Sequence, residues 1–414
     1  MINKKDILEI LKKYKGKISI GVLGGHSALD VCAGAKKFGF KTVVVAQRGR
    51  EKTFTEYYKT RKSFSGPATA RAVKGCVDEV ILVDKFEDIL KPDVQEKLRK
   101  LNTIFIHNRY FWVYFKDFAK IENEFKVPIF GLRQGVKLEE RDQPLNQYHL
   151  LQKAGIRMPK ILRSGEKDRT LGVVGLEYPK INDELREYFK NGGGPLIVKV
   201  NEAGTRSYER AFFIINSLED YARKSQTMIR SHQITLEDLV QKAVFEEYIV
   251  GAPINLNFFY SALTGELELM GTDTRRQTNL DGFLRLDANQ QIDLLKNNFK
   301  PKMIETGHYA VTMKESLVEK AYAIGEKFVA TMKKEFPDSD GIPGPFALQG
   351  AVAAFEGKEE FVIFDVSMRI PGSPGTKFTP YSGYLYGESI SYGDRIAMEI
   401  KQAAKDKKLG EVLT

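Results

Sequence analysis

The stretch GVLGGHSALD, residues 21–30, ends an apolar, strand-like run in two glycines and passes through His26 and Ser27 into a helical pattern. Glycines at such a corner let the backbone approach a ligand, and the free N–H groups of a helix start favour an anion. The plain alternative is a tight turn carrying a surface histidine. The run itself begins at residue 18 (ISIGVL, 18–23), and four similar runs follow: KTVVVA (41–46), EVILV (79–83), TIFIH (103–107) and VPIFG (127–131). Helical patterns lie between most of them. This rhythm predicts a doubly wound parallel sheet, in which ligands bind beyond the carboxyl ends of the strands. His26, Gln47–Arg50 and His107–Arg109 all fall at those ends.

QPLNQYHLLQKAG (143–155) reads as a helix closed by Gly155, with Pro159 soon after, and marks a domain joint. The expected division is an N-terminal α/β domain over 1–142 and an α+β remainder over 143–414. In the second part, LIVKV (196–200) and AFFII (211–215) are strands, followed by a polar helix over 217–231. AVFEEYIV (243–250), INLNFFYSAL (254–263) and ELELMGTDTR (266–275) are long strands, the last two joined at Thr264-Gly265. A helix over 313–335, the hairpin GPFALQGAVAAFEG/EEFVIFDVSMRI and a closing helix over 390–405 complete the pattern.

Composition narrows the function. Of 414 residues, 64 are Lys or Arg and 54 Asp or Glu, giving a net charge of +10 that favours anionic partners. The basic residues are dispersed, with no basic arm and no nucleic-acid-binding signature, so small phosphorylated substrates fit better than nucleic acid. No apolar run reaches membrane-spanning length, and the charged amphipathic start, MINKKDILEILKKYKGK, lacks the core of a signal peptide. A cytoplasmic protein is expected. Cys32 and Cys76, isolated from each other, suggest neither a disulfide framework nor a zinc site.

Four places carry candidate chemistry. Lys199 sits among apolar neighbours in LIVKV, where a buried ammonium needs an anion such as a nucleotide phosphate; a solvent-reaching lysine on an edge strand is the alternative. FEEYIVG (245–251) ends a strand in two carboxylates, placed to meet an adenine base or a ribose. Gln349 and Asp365 lie on strands of alternating pattern and together offer oxygen ligands of the kind Mg²⁺ takes. An Asp365–Arg369 ion pair is the competing explanation. RIPGSPGTKFTPYSG (369–383), with Lys377 at its middle, has the composition of a phosphate-contacting loop. A doubly wound domain, then a strand lysine, an acidic strand end and a late oxygen-ligand pair is the order found in the ATP-grasp superfamily.

Beyond that order, the segments GGHSALDVCAGAKKFGFKTV, EEYIVGAPINLNFFYS, MGTDTRRQTNLDGFLRL and GPFALQ…FVIFDVSMRI…GTKF…SYGDRIAMEIKQA together resemble the archaeal formate-dependent phosphoribosylaminoimidazolecarboxamide ligases, or FAICAR synthetases, over nearly the whole chain. The resemblance implies a pre-ATP-grasp domain followed by an ATP-grasp fold. It implies ATP-dependent formylation of the ribonucleotide AICAR by formate through formyl phosphate, with Mg²⁺ or Mn²⁺ as the metal, in purine biosynthesis. It places His26, Ser27 and Asn279 at AICAR, Glu246, Glu247 and Tyr248 around the adenosine, Lys199 on the phosphates and Gln349 and Asp365 on the metal. Arg276 and Lys377 are added as anion neutralisers on charge and location, and a homo-oligomer is expected. The chain departs from the family pattern in IHNRYF (106–111), where Asn108-Arg109 replace Gly-Ser, leaving Arg109 as a phosphate ligand. It departs again in NEAGTRSYER (201–210), where only Gly204 remains of a glycine-rich loop and Arg206 and Arg210 are the candidate phosphate clamps. A further departure is Asp365, where the family carries a glutamate. An ATP-grasp ligase for another carboxylate and amine, or a nucleotide-binding protein without catalysis, fits the same residues.

Overall fold

The computed structural model describes residues 2–414 apart from 63–72, 116, 142, 164–177, 201–210, 233, 237–238, 240–242, 298, 300–304 and 373. The N-terminal strands are β1 (Ser19–Leu23), β2 (Lys41–Gln47), β3 (Arg61–Lys62), β4 (Val73–Lys74), β5 (Glu79–Val83), β6 (Thr103–Ile106) and β7 (Ile129–Phe130). Five of them form one parallel sheet in the order β5-β2-β1-β6-β7, while β3 and β4 pair antiparallel apart from it. This is the expected doubly wound arrangement. The last strand is shorter than its apolar run, because Pro128 has no N–H to give to a ladder.

Two antiparallel sheets follow. The smaller contains β8 (Ile161–Arg163), β9 (Leu196–Val200), β10 (Ala211–Ile215) and β11 (Ala243–Glu247), in the order β10-β9-β11-β8. Lys199 is therefore on an inner strand and cannot reach solvent along an edge. The larger sheet contains β12 (Ala252–Tyr260), β13 (Leu267–Gln277), β14 (Glu305–Ala310), β15 (Gly344–Phe355) and β16 (Lys358–Ser367), in the order β14-β13-β12-β15-β16. The joint helix is Gln147–Lys153, capped by the Asn146 side chain, which accepts from Tyr148 N–H at 2.8 Å.

Apolar packing runs across the division expected at residue 142. Val22, Val44 and Ile104 of the first sheet share one apolar core with Phe259, Met270, Ile370, Tyr392 and Ile396. The helix Tyr392–Lys405 crosses the helix Ala28–Lys37 where Gly393 meets Gly34. A Cβ on Gly34 would lie 2.0 Å from the Gly393 carbonyl carbon, so only glycine permits this approach. Residues 412–414 then lie antiparallel along the outer edge of β7: Ile129 N–H donates to Thr414 O and Thr414 N–H to Ile129 O, both at 2.9 Å. Buried Arg133 donates to the same Thr414 carbonyl at 2.6 Å. Among the described residues, no helix is long and apolar enough to cross a membrane.

Candidate active site

Pairing within the larger sheet decides the site. Asp273 on β13 stands opposite Asn255 on β12, Asn255 opposite Gln349 on β15, and Gln349 opposite Asp365 on β16. One polar row thus crosses four strands. Side chains two residues along face the same way, which adds Asn257, Arg275 and Ser367, and Arg275 in turn stands opposite His308 on β14. A register shift after Gln349 bends the strand beside the metal-ligand candidate, a common device next to active sites.

The row floors a cleft whose opposite wall carries His26 and Arg109, from the carboxyl ends of β1 and β6, with Glu139, Arg141 and Arg369 between. His26 is held from two sides. Ser27 Oγ–H donates to the Pro371 carbonyl at 2.7 Å, and Gly372 lies so close to the imidazole that a Cβ would fall 1.4 Å from its Cε1. Ser27 takes φ 66°, the left-handed turn into the helix Ala28–Lys37.

A second, buried line of charge leads away from the cleft. Glu246 lies opposite Ile197, two residues from Lys199 on the same face, and the two make a buried ion pair. Tyr148 O–H donates to Glu246 at 2.6 Å, Arg141 Nε–H donates to Tyr148 O at 2.8 Å, and Arg141 Nη2 donates to Asp365 Oδ1 at 2.8 Å. Lys199 and Asp365 are thereby the ends of one hydrogen-bonded chain. Burial pulls the Lys199 ammonium down, partly opposed by Glu246, to a pKa of about 8.

Gln349 and Asp365 present an amide oxygen and a carboxylate side by side, a donor set suited to a hard divalent cation. The Arg275 guanidinium donates to Gln349 Oε1 and lies 3.6 Å from Asp365 Oδ2, so positive charge already occupies this spot. The alternative Asp365–Arg369 pair does not form: Arg369 donates instead to Glu139 Oε2 at 3.2 Å.

Four expected site residues thus meet in the cleft: His26, Arg109, Gln349 and Asp365. Lys199 and Glu246 join it through Tyr148 and Arg141, with Glu246 serving as the lysine's anion rather than standing free. Glu247 accepts from Lys160 N–H at 3.3 Å, and Tyr248 is partly exposed beyond β11, where its N–H donates to the Pro195 carbonyl. Arg276 stands apart from the cleft. One residue from Arg275, it points to the other face, 59% exposed, near Asp281 and Tyr309, and it does not line the cleft. Asn279 is exposed at the start of a short helix and Lys377 is exposed on its loop; neither lines the cleft. Arg206, Arg210 and Gly204 lie outside the described residues. Sequence reading missed Glu139, Arg141, Asn255, Asn257, Arg275, Glu305 and His308. The signal for Asn255 and Asn257 was the alternation of polar residues inside an apolar strand, INLNFFY.

His308 anchors one end of the row. Its Nδ1 meets Asp273 and its Nε2 lies 2.8 Å from Glu305, while Asn255 Nδ2 donates to Asp273 at 2.9 Å. Burial alone would depress the imidazole, but the bonds to Asp273 and Glu305 outweigh it and hold its pKa up at about 9. The folded value lies above the unfolded one. The stabilisation is therefore complete below about pH 6.5 and lost as pH rises through 9, a change of about 3 kcal/mol. Denaturant titrations across this window will show a decline in the wild-type protein that His308→Asn flattens; parallel curves would remove His308 as its source.

Comparison with known proteins is consistent with this geometry. Residues 20–162 match a family model described as a protein of unknown function (DUF1246), and residues 220–414 match one described as a domain of unknown function (DUF1297). The 5-formaminoimidazole-4-carboxamide-1-(beta)-D-ribofuranosyl 5'-monophosphate synthetase of Methanothermobacter thermautotrophicus is 35% identical, over 100% of this chain and 99% of its own. The crystal structure of an IMP biosynthesis protein PurP from Thermococcus kodakaraensis superposes with a TM-score of 0.61 at 24% identity, covering 95% of this chain and 100% of that one. The biotin carboxylase domain of the Hydrogenobacter thermophilus 2-oxoglutarate carboxylase, solved with MgADP, ADP and bicarbonate, gives a TM-score of 0.56 at 12% identity, covering 93% and 70%. The fold is that of the ATP-grasp enzymes.

Proposed function

Because this chain belongs to the family of archaeal FAICAR synthetases, ATP-dependent ligases of purine biosynthesis, we propose that it joins formate to the exocyclic amine of AICAR with release of ADP and phosphate. Formate is a poor acyl donor, since its leaving group would be oxide. Transfer of the ATP γ-phosphoryl group to a formate oxygen gives formyl phosphate, whose leaving group is phosphate. The amine nitrogen attacks the formyl carbon, the C–O bond to phosphate breaks, and the amine gives up a proton. The protein's share is positioning, charge neutralisation and exclusion of water.

In this reading Lys199 meets the ATP phosphates, and Glu247 and Tyr248 border the adenosine. His26 and Ser27 hold AICAR, and Arg109 and Arg275 neutralise oxyanions. Gln349 and Asp365 hold a divalent cation, Mg²⁺ or Mn²⁺, which when bound offsets phosphate charge. Asn279 remains a proposed substrate contact by resemblance, and Arg206 a proposed phosphate clamp where the chain departs from the family's loop. The observation that carries the reading is the direct opposition of Gln349 and Asp365 on the floor of the cleft that His26 and Arg109 wall. A cytoplasmic homo-oligomer, built of the two domains 1–142 and 143–414, goes with it.

The test is ADP release by the purified protein with Mg-ATP, with AICAR and formate each omitted in turn and the product identified by mass. Release that needs both supports the reading, and release that needs neither or another pair overturns it. His26→Ala is expected to raise KM for AICAR about tenfold or more with KM for ATP little changed. The reverse pattern would exchange the two ligands between the walls of the cleft.

A further inference from the structure

One carboxylate in the cleft is shared among four basic side chains. Glu305 lies 2.8 Å from His308 Nε2, 3.5 Å from His26 Nε2, 3.5 Å from Arg275 Nε and 3.7 Å from Arg109 Nη1. A structural ion pair needs one partner. Two guanidinium groups and two imidazoles thus converge on one half-buried side chain, although Asp273 also holds His308 and Asp365 also faces Arg275. His26 Nδ1 is buried with no hydrogen-bond partner among the described residues. The cluster also sits beside the proposed metal ligands, because the same Arg275 reaches Gln349 and Asp365.

We propose that His26, Arg109, Arg275 and His308 form a binding subsite for a compact oxyanion, and that the Glu305 carboxylate fills it in the free protein as a built-in competitor. The shared ligand chemistry is a small carboxylate or a phosphate group; under the proposed function the sources are formate and the transferred phosphoryl group. The inference rests on that function only for naming those two sources. His26, Glu305 and His308 also bring possible metal-ligating atoms within 4.8 Å of one another. A cation there is disfavoured: both His308 nitrogens are already engaged by carboxylates, and Arg109 and Arg275 crowd the same carboxylate.

Calorimetry on the full-length wild-type protein, Glu305→Gln and Glu305→Ala, titrated separately with sodium formate, inorganic phosphate and zinc, tests this. The expected result is at least about a tenfold gain in affinity for formate or phosphate on removing the competitor, abolished again by adding Arg109→Ser. The anion that gains identifies the source. Unchanged or weaker binding of both anions overturns the proposal, and so does zinc binding that Glu305→Gln removes. A reading without any variant comes from histidine NMR of the wild-type protein, which has five histidines. Saturating formate or phosphate must shift the His26 and His308 resonances, and unmoved resonances overturn the proposal. Ligase activity with no anion gain in the variants defeats this inference alone. Anion gain without ligase activity keeps the subsite and defeats the proposed function.

Discussion

Asp365→Asn is expected to lower turnover by at least about a thousandfold while leaving a folded protein. Asp365 has two roles. Its carboxylate is the stronger of the two oxygen donors opposed on β15 and β16, and it receives the buried Arg141 guanidinium at 2.8 Å. Alanine would confuse these roles by leaving Arg141 with no acceptor at that position. Asparagine keeps an oxygen for Arg141 and removes the charge a divalent cation needs, at a stability cost of about 1–3 kcal/mol. Steady-state ADP release, read beside a denaturation curve, separates the effects. Turnover within tenfold of wild type in the folded variant would remove Asp365 from the metal site.

Lys199→Met is expected to destabilise the protein by about 3–5 kcal/mol, because the Glu246 carboxylate is left buried without its ammonium. Adding Glu246→Gln should restore most of that loss, since the amide still accepts from Tyr148 and carries no charge. Nucleotide binding should not return with stability, because the cation proposed to meet the phosphates is gone. Denaturation midpoints and nucleotide titrations of the single and double variants make the test. A double variant that binds nucleotide normally would reduce Lys199 to a structural role, and a single variant as stable as wild type would show that the pair is not coupled.

These two sites also show how far the sequence could be read. The parallel sheet was legible because its strands are apolar, short and regularly punctuated, and because Gly24-Gly25 mark the corner where His26 emerges. Lys199 was legible as a buried lysine in need of an anion, but not that Glu246 answers it from the adjacent strand, two residues along. Charge and location singled out Arg276, whereas parity along β13 places Arg275, two residues after Asp273, in the polar row. The polar row could not be assembled from sequence, since β12 pairs with β15 across a long separation and strand register is a property of the folded sheet. Glu305 and His308 were hidden for the same reason.

The antiparallel run of residues 412–414 along β7 has a consequence in time. Arg133 and its partner Thr414 are 281 positions apart, so at ordinary elongation rates the ribosome delivers the second roughly 15 to 55 seconds after the first. Throughout that interval the nascent parallel sheet shows an open edge, and the helix Ala28–Lys37 lacks the helix that later covers it. The β7 edge therefore gains its partner only once residues 412–414 have been made.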